Sequence, residues 1–259
     1  MSKTLIVYGT RPEYLKIKPL LRDNPSLHTL YIKQHVDIID FGNPTHSIDV
    51  ENECENRLNS IFHQILLKAE RFLQSYDNIV VQGDTATVAA TALTAYNLKK
   101  NIFYIESGLR SFDLENPYPE EAYRQMVSRI ATVNFCPTTL SAKNLKEEKV
   151  LGEIFITGNT SLDNLVSHKS QTEYGKDVLV TLHRNENLSL LEDWLTEIDK
   201  IAQKNSRYNF IYPVHPNPTI TKIAAQLNHV KLTPPLEHCE FIKILKNCSA
   251  VISDSGGVQ

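Results

Sequence analysis

Carboxylates stand where apolar runs stop. Ile79-Val80-Val81 ends at Gly83-Asp84-Thr85, and Ile102-Phe103-Tyr104-Ile105 ends at Glu106-Ser107-Gly108. Glu120 and Glu121 follow Asn116-Pro117-Tyr118-Pro119. Short β-branched and aromatic runs alternating with helical patterns read as parallel strands of βαβ units. In such sheets ligands bind outside the carboxyl ends of the strands. Asp84 and Glu106 are therefore expected in one crevice, with Glu120 on a loop nearby, a set suited to proton transfer. Each also has a plainer reading. Asp84 or Thr85 caps the next helix, and Glu106 pairs with Arg110. Glu121 and Arg124 form an i,i+3 surface pair, which leaves Glu120 as the functional member of its pair.

A second group of residues suits anion binding. Gly9-Thr10-Arg11-Pro12-Glu13 follows the first apolar run and opens a helix, with Glu13 at the positive end of its dipole. Such a start holds a phosphate, and Arg11 and Lys16 add charge; an ordinary helix start with solvated bases is the alternative. No G-x-G-x-x-G follows this strand, so a dinucleotide fingerprint is absent. His183 and Arg184 follow Val178-Leu179-Val180-Thr181-Leu182, where an imidazole acts as acid, base or phosphate donor and the guanidinium as a phosphate clamp. His215, in a proline-rich turn, and Gln34-His35 after a strand have the same standing, with structural roles open. Asp254-Ser255-Gly256-Gly257 has the chemistry of a phosphate nest or of a plain turn.

The elements that must position these residues form a repeated strand–helix alternation. Strands are expected at 4–8, 28–33, 78–82, 102–106, 133–136 and 154–157, and helices near 12–23, 53–75, 85–99, 119–131, 139–148 and 160–167. Ser167 to Lys176 is polar and reads as a linker. The alternation then restarts with strands at 177–182, 208–213, 229–232 and 249–253 and helices at 189–204, 217–226 and 237–247. This gives an α/β fold of two tandem domains, residues 1–167 and 168–259. Phe41 to Glu53 reads as a polar loop.

With 259 residues, 41% hydrophobic and 22% charged, the composition is that of an ordinary globule with a full core. A net charge of −3 gives no basic footprint for nucleic acid. Met1-Ser2-Lys3 leads straight into a short apolar strand, too short for a signal peptide core. No stretch approaches the roughly 18 apolar residues of a membrane span, so a cytoplasmic location is expected. Cys54, Cys136, Cys239 and Cys248 lack metal or redox spacing and read as incidental thiols, with no metal expected.

Taken in order, Gly9-Thr-Arg-Pro-Glu13 with Lys16, Gln34-His35, Gly83-Asp-Thr85, Glu106-Ser-Gly-Leu-Arg110 and Pro119-Glu-Glu-Ala122 form one pattern. It continues through Thr157-Gly-Asn-Thr160, His183-Arg-Asn-Glu-Asn187, Pro213-Val-His215 and Asp254-Ser-Gly-Gly257. The whole closely resembles the bacterial, non-hydrolysing UDP-N-acetylglucosamine 2-epimerases. The resemblance implies two Rossmann-like domains of GT-B-like type, with UDP-GlcNAc lying between them and no cofactor. It implies inversion at C2 to give UDP-ManNAc, by anti elimination of UDP to a 2-acetamidoglucal and re-addition of UDP.

By the same resemblance Asp84, Glu106 and Glu120 are the acid/base groups. Arg11, Lys16, His183, Ser255, Gly256 and Gly257 face the leaving pyrophosphate. Gln34, His35, Arg184 and His215 match the contacts of an activating second UDP-GlcNAc. Family members are commonly dimers. Lys33 stands where the family usually has Gly, Asn185 where it has a second Arg, and the connection from Phe41 to Asn52 is shorter; all three touch the activator positions. Family members also continue past Ser-Gly-Gly-(Ile/Val)-Gln, so the second domain is expected to be incomplete, with weak UDP binding and little turnover if the chain ends at Gln259. The competing expectations are a hydrolysing relative that releases ManNAc and UDP, an inactive nucleotide-sugar binding protein, and a glycosyltransferase of similar architecture.

Overall fold

The computed structural model describes residues 2–34, 43–166, 174–184, 187–255 and 258. The chain divides into two units, Met1–Asn164 and Leu165–Gln259. In the first, strands β1 (Thr4–Tyr8), β2 (His28–Lys33), β3 (His46–Asp49), β4 (Asn78–Gln82), β5 (Asn101–Ile105), β6 (Val133–Cys136) and β7 (Glu153–Ile156) form one sheet. Its helices are α1 (Arg11–Asp23), α2 (Arg57–Lys68), α3 (Glu70–Leu73), α4 (Ala86–Asn97), α5 (Glu120–Ile130) and α6 (Thr139–Glu147), and α7 (Thr160–Val166) runs across the division between the units. The second unit contains β8 (Asp177–Thr181), α8 (Leu191–Lys204), β9 (Asn209–Pro213), α9 (Pro218–Ala224), β10 (Lys231–Thr233), α10 (His238–Asn247) and β11 (Ala250–Ser253).

Every strand pairing is parallel. The first sheet has the order β3-β2-β1-β4-β5-β6-β7 and the second β10-β9-β8-β11. In each, the chain winds outward from a central strand and then crosses to its other side. The order therefore reverses between β1 and β4, and again between β8 and β11. Such a switch point leaves a crevice at the carboxyl ends of the two strands, because the flanking loops leave toward opposite faces.

Strand residues are buried on both faces, which explains why they read as continuous apolar runs. Leu5, Val7, Ile79, Val81, Ile102 and Tyr104 join one core with α2, α4 and α5, while Ile6, Tyr8, Val80 and Ile17 join another beneath α1. Each fully buried Ile or Leu contributes roughly 1.5–3 kcal/mol. The small side chains of α4, ATVAATALTAYN, allow it to be buried around most of its girth, against both α2 and α5.

Two expectations are corrected. The segment read as a polar loop contains β3, an edge strand whose one fully buried side chain is Ile48. The single helix expected over 53–75 is two, α2 and α3, and α2 starts late because Asn56 caps it, accepting from Leu58 N (2.9 Å) and Asn59 N (3.2 Å). Part of the expected linker, 167–173, lies outside the described residues. No helix among the described residues is long and apolar enough to cross a membrane.

Candidate active site

At the switch point of the first sheet, the loop after β1 turns into α1 through a capping box. Thr10 Oγ1 accepts from Glu13 N (3.4 Å), and Glu13 Oε2 accepts from Gly9 N (2.6 Å) and Thr10 N (2.9 Å). Glu13 also receives Thr85 Oγ1 (2.5 Å) from the loop after β4. It is 3% exposed and therefore ties the two loops of the switch point together instead of facing solvent at a helix start. Burial pushes its carboxyl up, against the pull of these donors. Gly9 is required here, because a Cβ would collide with Gln34 Nε2 and Thr87 Oγ1, which hydrogen-bond to each other across it. Arg11, at the first position of α1, is exposed.

Glu106 follows β5 with φ +66°, a left-handed backbone that costs a side-chain-bearing residue about 1 kcal/mol or more. Three side chains hold it there. Lys16 Nζ lies 2.5 Å from Oε2, Gln82 Nε2 donates to the same oxygen, and Asn159 Nδ2 donates to Oε1 (3.1 Å). The expected Arg110 partner is elsewhere. Arg110 is fully buried and pairs with Glu148 through Nε (2.6 Å) and Nη2 (2.9 Å), with Ser128 Oγ at 2.7 Å.

Asp84 is not a helix cap. Thr85 caps α4, accepting from Val88 N (3.4 Å), and this frees Asp84 to meet Arg124 Nε (2.9 Å) and Nη2 (2.6 Å). The expected i,i+3 pair of Glu121 and Arg124 is present, but inside the protein and not on its surface. Glu121 is fully buried and accepts from Ser111 N (3.0 Å), Phe112 N (3.3 Å) and Gln125 Nε2 (2.9 Å), with Arg124 Nη1 at 3.5 Å. Burial pushes its carboxyl up, but those donors and Arg110 outweigh it and hold it below its ordinary range. Glu121 thus shapes the loop before α5, at whose first position Glu120 stands. One carboxylate oxygen of Glu120, Oε2, is buried without a hydrogen-bond partner.

The second unit repeats the logic around Asp254, the first residue of the stretch read as a phosphate nest or a plain turn. Asp254, just past β11, accepts from His183 N (3.2 Å), Arg184 N (3.0 Å) and Asn187 Nδ2 (3.2 Å) in the loop after β8. Burial raises its carboxyl, but these donors and the His183 imidazole outweigh that and hold it below the ordinary range. The His183 ring stacks on His215, centroids 6.0 Å apart and 11° from parallel. Ser255 N donates to Ser253 Oγ (2.9 Å). Beside Asp254, a cavity of about 490 Å3 is lined by Leu182, Asn187, Trp194, Ile198, Ile252 and Ser253.

The structure thus brings Lys16 to Glu106 in the first unit, with Gln34, Asp84 and Glu120 around the same sheet end. In the second, His183 stacks on His215, and the amides of His183 and Arg184 reach Asp254, the residue before Ser255. His35, Gly256 and Gly257 lie outside the described residues. Among the described residues no group of three or more His, Cys, Asp or Glu is placed to hold a metal ion. Sequence reasoning missed Gln82, Asn159, Asp254 and the buried role of Glu13. Their signal was position: Gln82 and Asn159 flank strand ends whose next residues had already been singled out.

Two doubly wound parallel units in tandem, each with a polar cluster at its switch point, define a GT-B-like α/β protein. The profile of the UDP-N-acetylglucosamine 2-epimerase family matches residues 27–259. The UDP-N-acetylglucosamine 2-epimerase of Campylobacter jejuni is 35% identical over 299 residues, which cover 100% of this chain and 78% of the relative. The crystal structure of the Neisseria meningitidis UDP-GlcNAc 2-epimerase bound to UDP-GlcNAc superposes with a TM-score of 0.86 at 27% identity, covering 99% of this chain and 78% of that one. The Methanocaldococcus jannaschii enzyme in complex with UDP-GlcNAc and UDP gives 0.78 at 28% identity, covering 99% and 80%. The chain belongs to the UDP-N-acetylglucosamine 2-epimerase family, a family of isomerases. The chain spans about four fifths of the length of these relatives.

Proposed function

We propose that this protein interconverts UDP-GlcNAc and UDP-ManNAc by anti elimination and re-addition of UDP. Residues 1–167 supply the proton-transfer groups and residues 168–259 take UDP. The C2 proton is not acidic, so its removal is coupled to departure of UDP: a carboxylate takes the proton, the C1–O bond breaks, and UDP leaves with the electron pair. The 2-acetamidoglucal is then protonated at C2 on the other face while UDP re-adds at C1. Asp84, Glu106 and Glu120 share the acid and base roles. Arg11, Lys16, His183, Ser255, Gly256 and Gly257 are assigned to the charge on the departing pyrophosphate. Arg184 and His215 flank His183, and we assign them to the same nucleotide.

The observation that carries this reading is the state of the carboxylates at one sheet end. Asp84 Oδ2 takes both contacts from Arg124 while Oδ1 receives no hydrogen bond from the described residues. Glu106 is held in strained backbone by three donors. Strain and a spare carboxylate oxygen, side by side, favour proton transfer over a structural role.

Phosphorus NMR of the protein incubated with UDP-GlcNAc tests it. A second UDP-sugar signal at constant total UDP-sugar supports epimerisation. Conversion to UDP with free ManNAc supports the hydrolysing reaction instead. An unchanged spectrum contradicts both.

A further inference from the structure

We propose that Gln82 is a positioning residue whose side-chain amide turns over as Glu106 gains and loses its proton. The inference rests on the reading of Glu106 as an acid/base group. Gln82 ends β4, beside Ile105 in the register of β5, and is 2% exposed. Its Nε2 donates to Glu106 Oε2, yet its Oε1 is buried with no hydrogen-bond partner. A buried acceptor left unpaired is a cost that folds seldom carry without a use.

The use follows from what a carboxyl needs. Ionised, Glu106 only accepts; protonated, it must also donate. Whichever face of the sugar it serves, Glu106 carries a proton in one half of the cycle and none in the other. Its other partners cannot follow that change. Lys16 only donates. Asn159 is locked, because its Oδ1 accepts from Ser161 N (2.9 Å), which keeps Nδ2 turned to Glu106 Oε1. The backbone on either side of Glu106 is held by Gly83 N to Ile105 O (3.3 Å) and Ser107 N to Phe135 O (3.0 Å), so the adjustment falls to side chains. Among the described residues only Gln82 offers Glu106 a donor and an unused acceptor in one group. A half-turn about its last side-chain torsion, a broad and roughly two-fold rotor, exchanges them within almost the same volume. The proton moves only between C2 and Glu106 Oε2; Gln82 receives the O–H in its Oε1 and breaks no bond.

Two measurements test this. In the first, the 15N-labelled side-chain amide of Gln82 is followed by NMR in the unaltered protein and in Glu106→Gln, whose new amide mimics the protonated acid. The downfield N–H held by the carboxylate is expected to be lost in Glu106→Gln; an unchanged resonance overturns the inference. In the second, Gln82→Met, which fills the space without either hydrogen-bonding group, is expected to lower kcat about 10- to 100-fold while KM for UDP-GlcNAc moves less than about threefold. An unchanged kcat, or a loss confined to KM, overturns it. If the unaltered chain makes no UDP-ManNAc, the functional reading fails, and the amide resonance still decides this one.

Discussion

Arg124 holds Asp84 by one oxygen only: Nε at 2.9 Å and Nη2 at 2.6 Å both reach Oδ2. The two residues are 40 positions apart, one after β4 and one in the second turn of α5. Two donors on one oxygen fix where that oxygen sits and leave the other without a hydrogen bond from the described residues. Arg124→Lys keeps the charge and loses the fork, so kcat is expected to fall about tenfold; Arg124→Ala should cost about 100-fold through misplacement of Asp84. Steady-state kinetics on UDP-GlcNAc, with a melting curve for each variant, would check this.

The backbone of Glu106 makes a separate prediction. At φ +66° a glycine is more comfortable than any side-chain-bearing residue. Glu106→Gly is therefore expected to unfold at higher urea than Glu106→Ala, by about 1 kcal/mol, although both lose the carboxyl. Equal stability of the two would mean that the left-handed conformation carries no strain.

Glu13 ties the loop after β1 to the loop after β4 from a fully buried position. Glu13→Ala leaves Gly9 N, Thr10 N and the Thr85 hydroxyl without their acceptor, and should destabilise the first unit by about 2–4 kcal/mol. Amide hydrogen exchange at Gly9 and Thr10 should quicken with it. Protection unchanged at those two amides would remove Glu13 from this role.

Much of this was legible in the sequence, and what escaped did so for physical reasons. Strands buried on both faces announce themselves as apolar runs, and their carboxyl ends located Asp84, Glu106 and His183. Edge strand β3 buries little beyond Ile48, so its HSID reads as loop. Partners far apart along the chain leave no local trace. Arg110 finds Glu148 and Arg124 finds Asp84, 38 and 40 positions away, whereas sequence proximity suggested Glu106 for the first and gave only the Glu121 contact of the second. Glu13 looked like a dipole partner because its position three residues after Thr10 says nothing of Thr85 above it.

Asp254 yields a prediction with a pH sign. Its folded carboxyl titrates below the ordinary value of 3.8, because the donors from the His183 loop outweigh burial. The stability it confers is therefore present above that value and is lost as the pH falls through the lower, folded one. Asp254→Asn should destabilise the second unit by about 2 kcal/mol near neutral pH, with the gap closing as the pH falls below the ordinary carboxylate value. Trp194, the only tryptophan, lies in this unit beside Asp254, so its fluorescence reports the transition. A gap that stays constant on acidification would contradict the assignment.

The central claim is that carboxylates at the end of the first sheet remove and return the C2 proton of a UDP-linked amino sugar. Proton NMR of UDP-GlcNAc incubated with the protein in D2O tests it most directly. The account predicts deuterium at C2 in the UDP-ManNAc formed, and the loss of both exchange and product in Asp84→Asn and Glu106→Gln. UDP-ManNAc that keeps its original C2 proton, or a C2 signal that never changes, would contradict it.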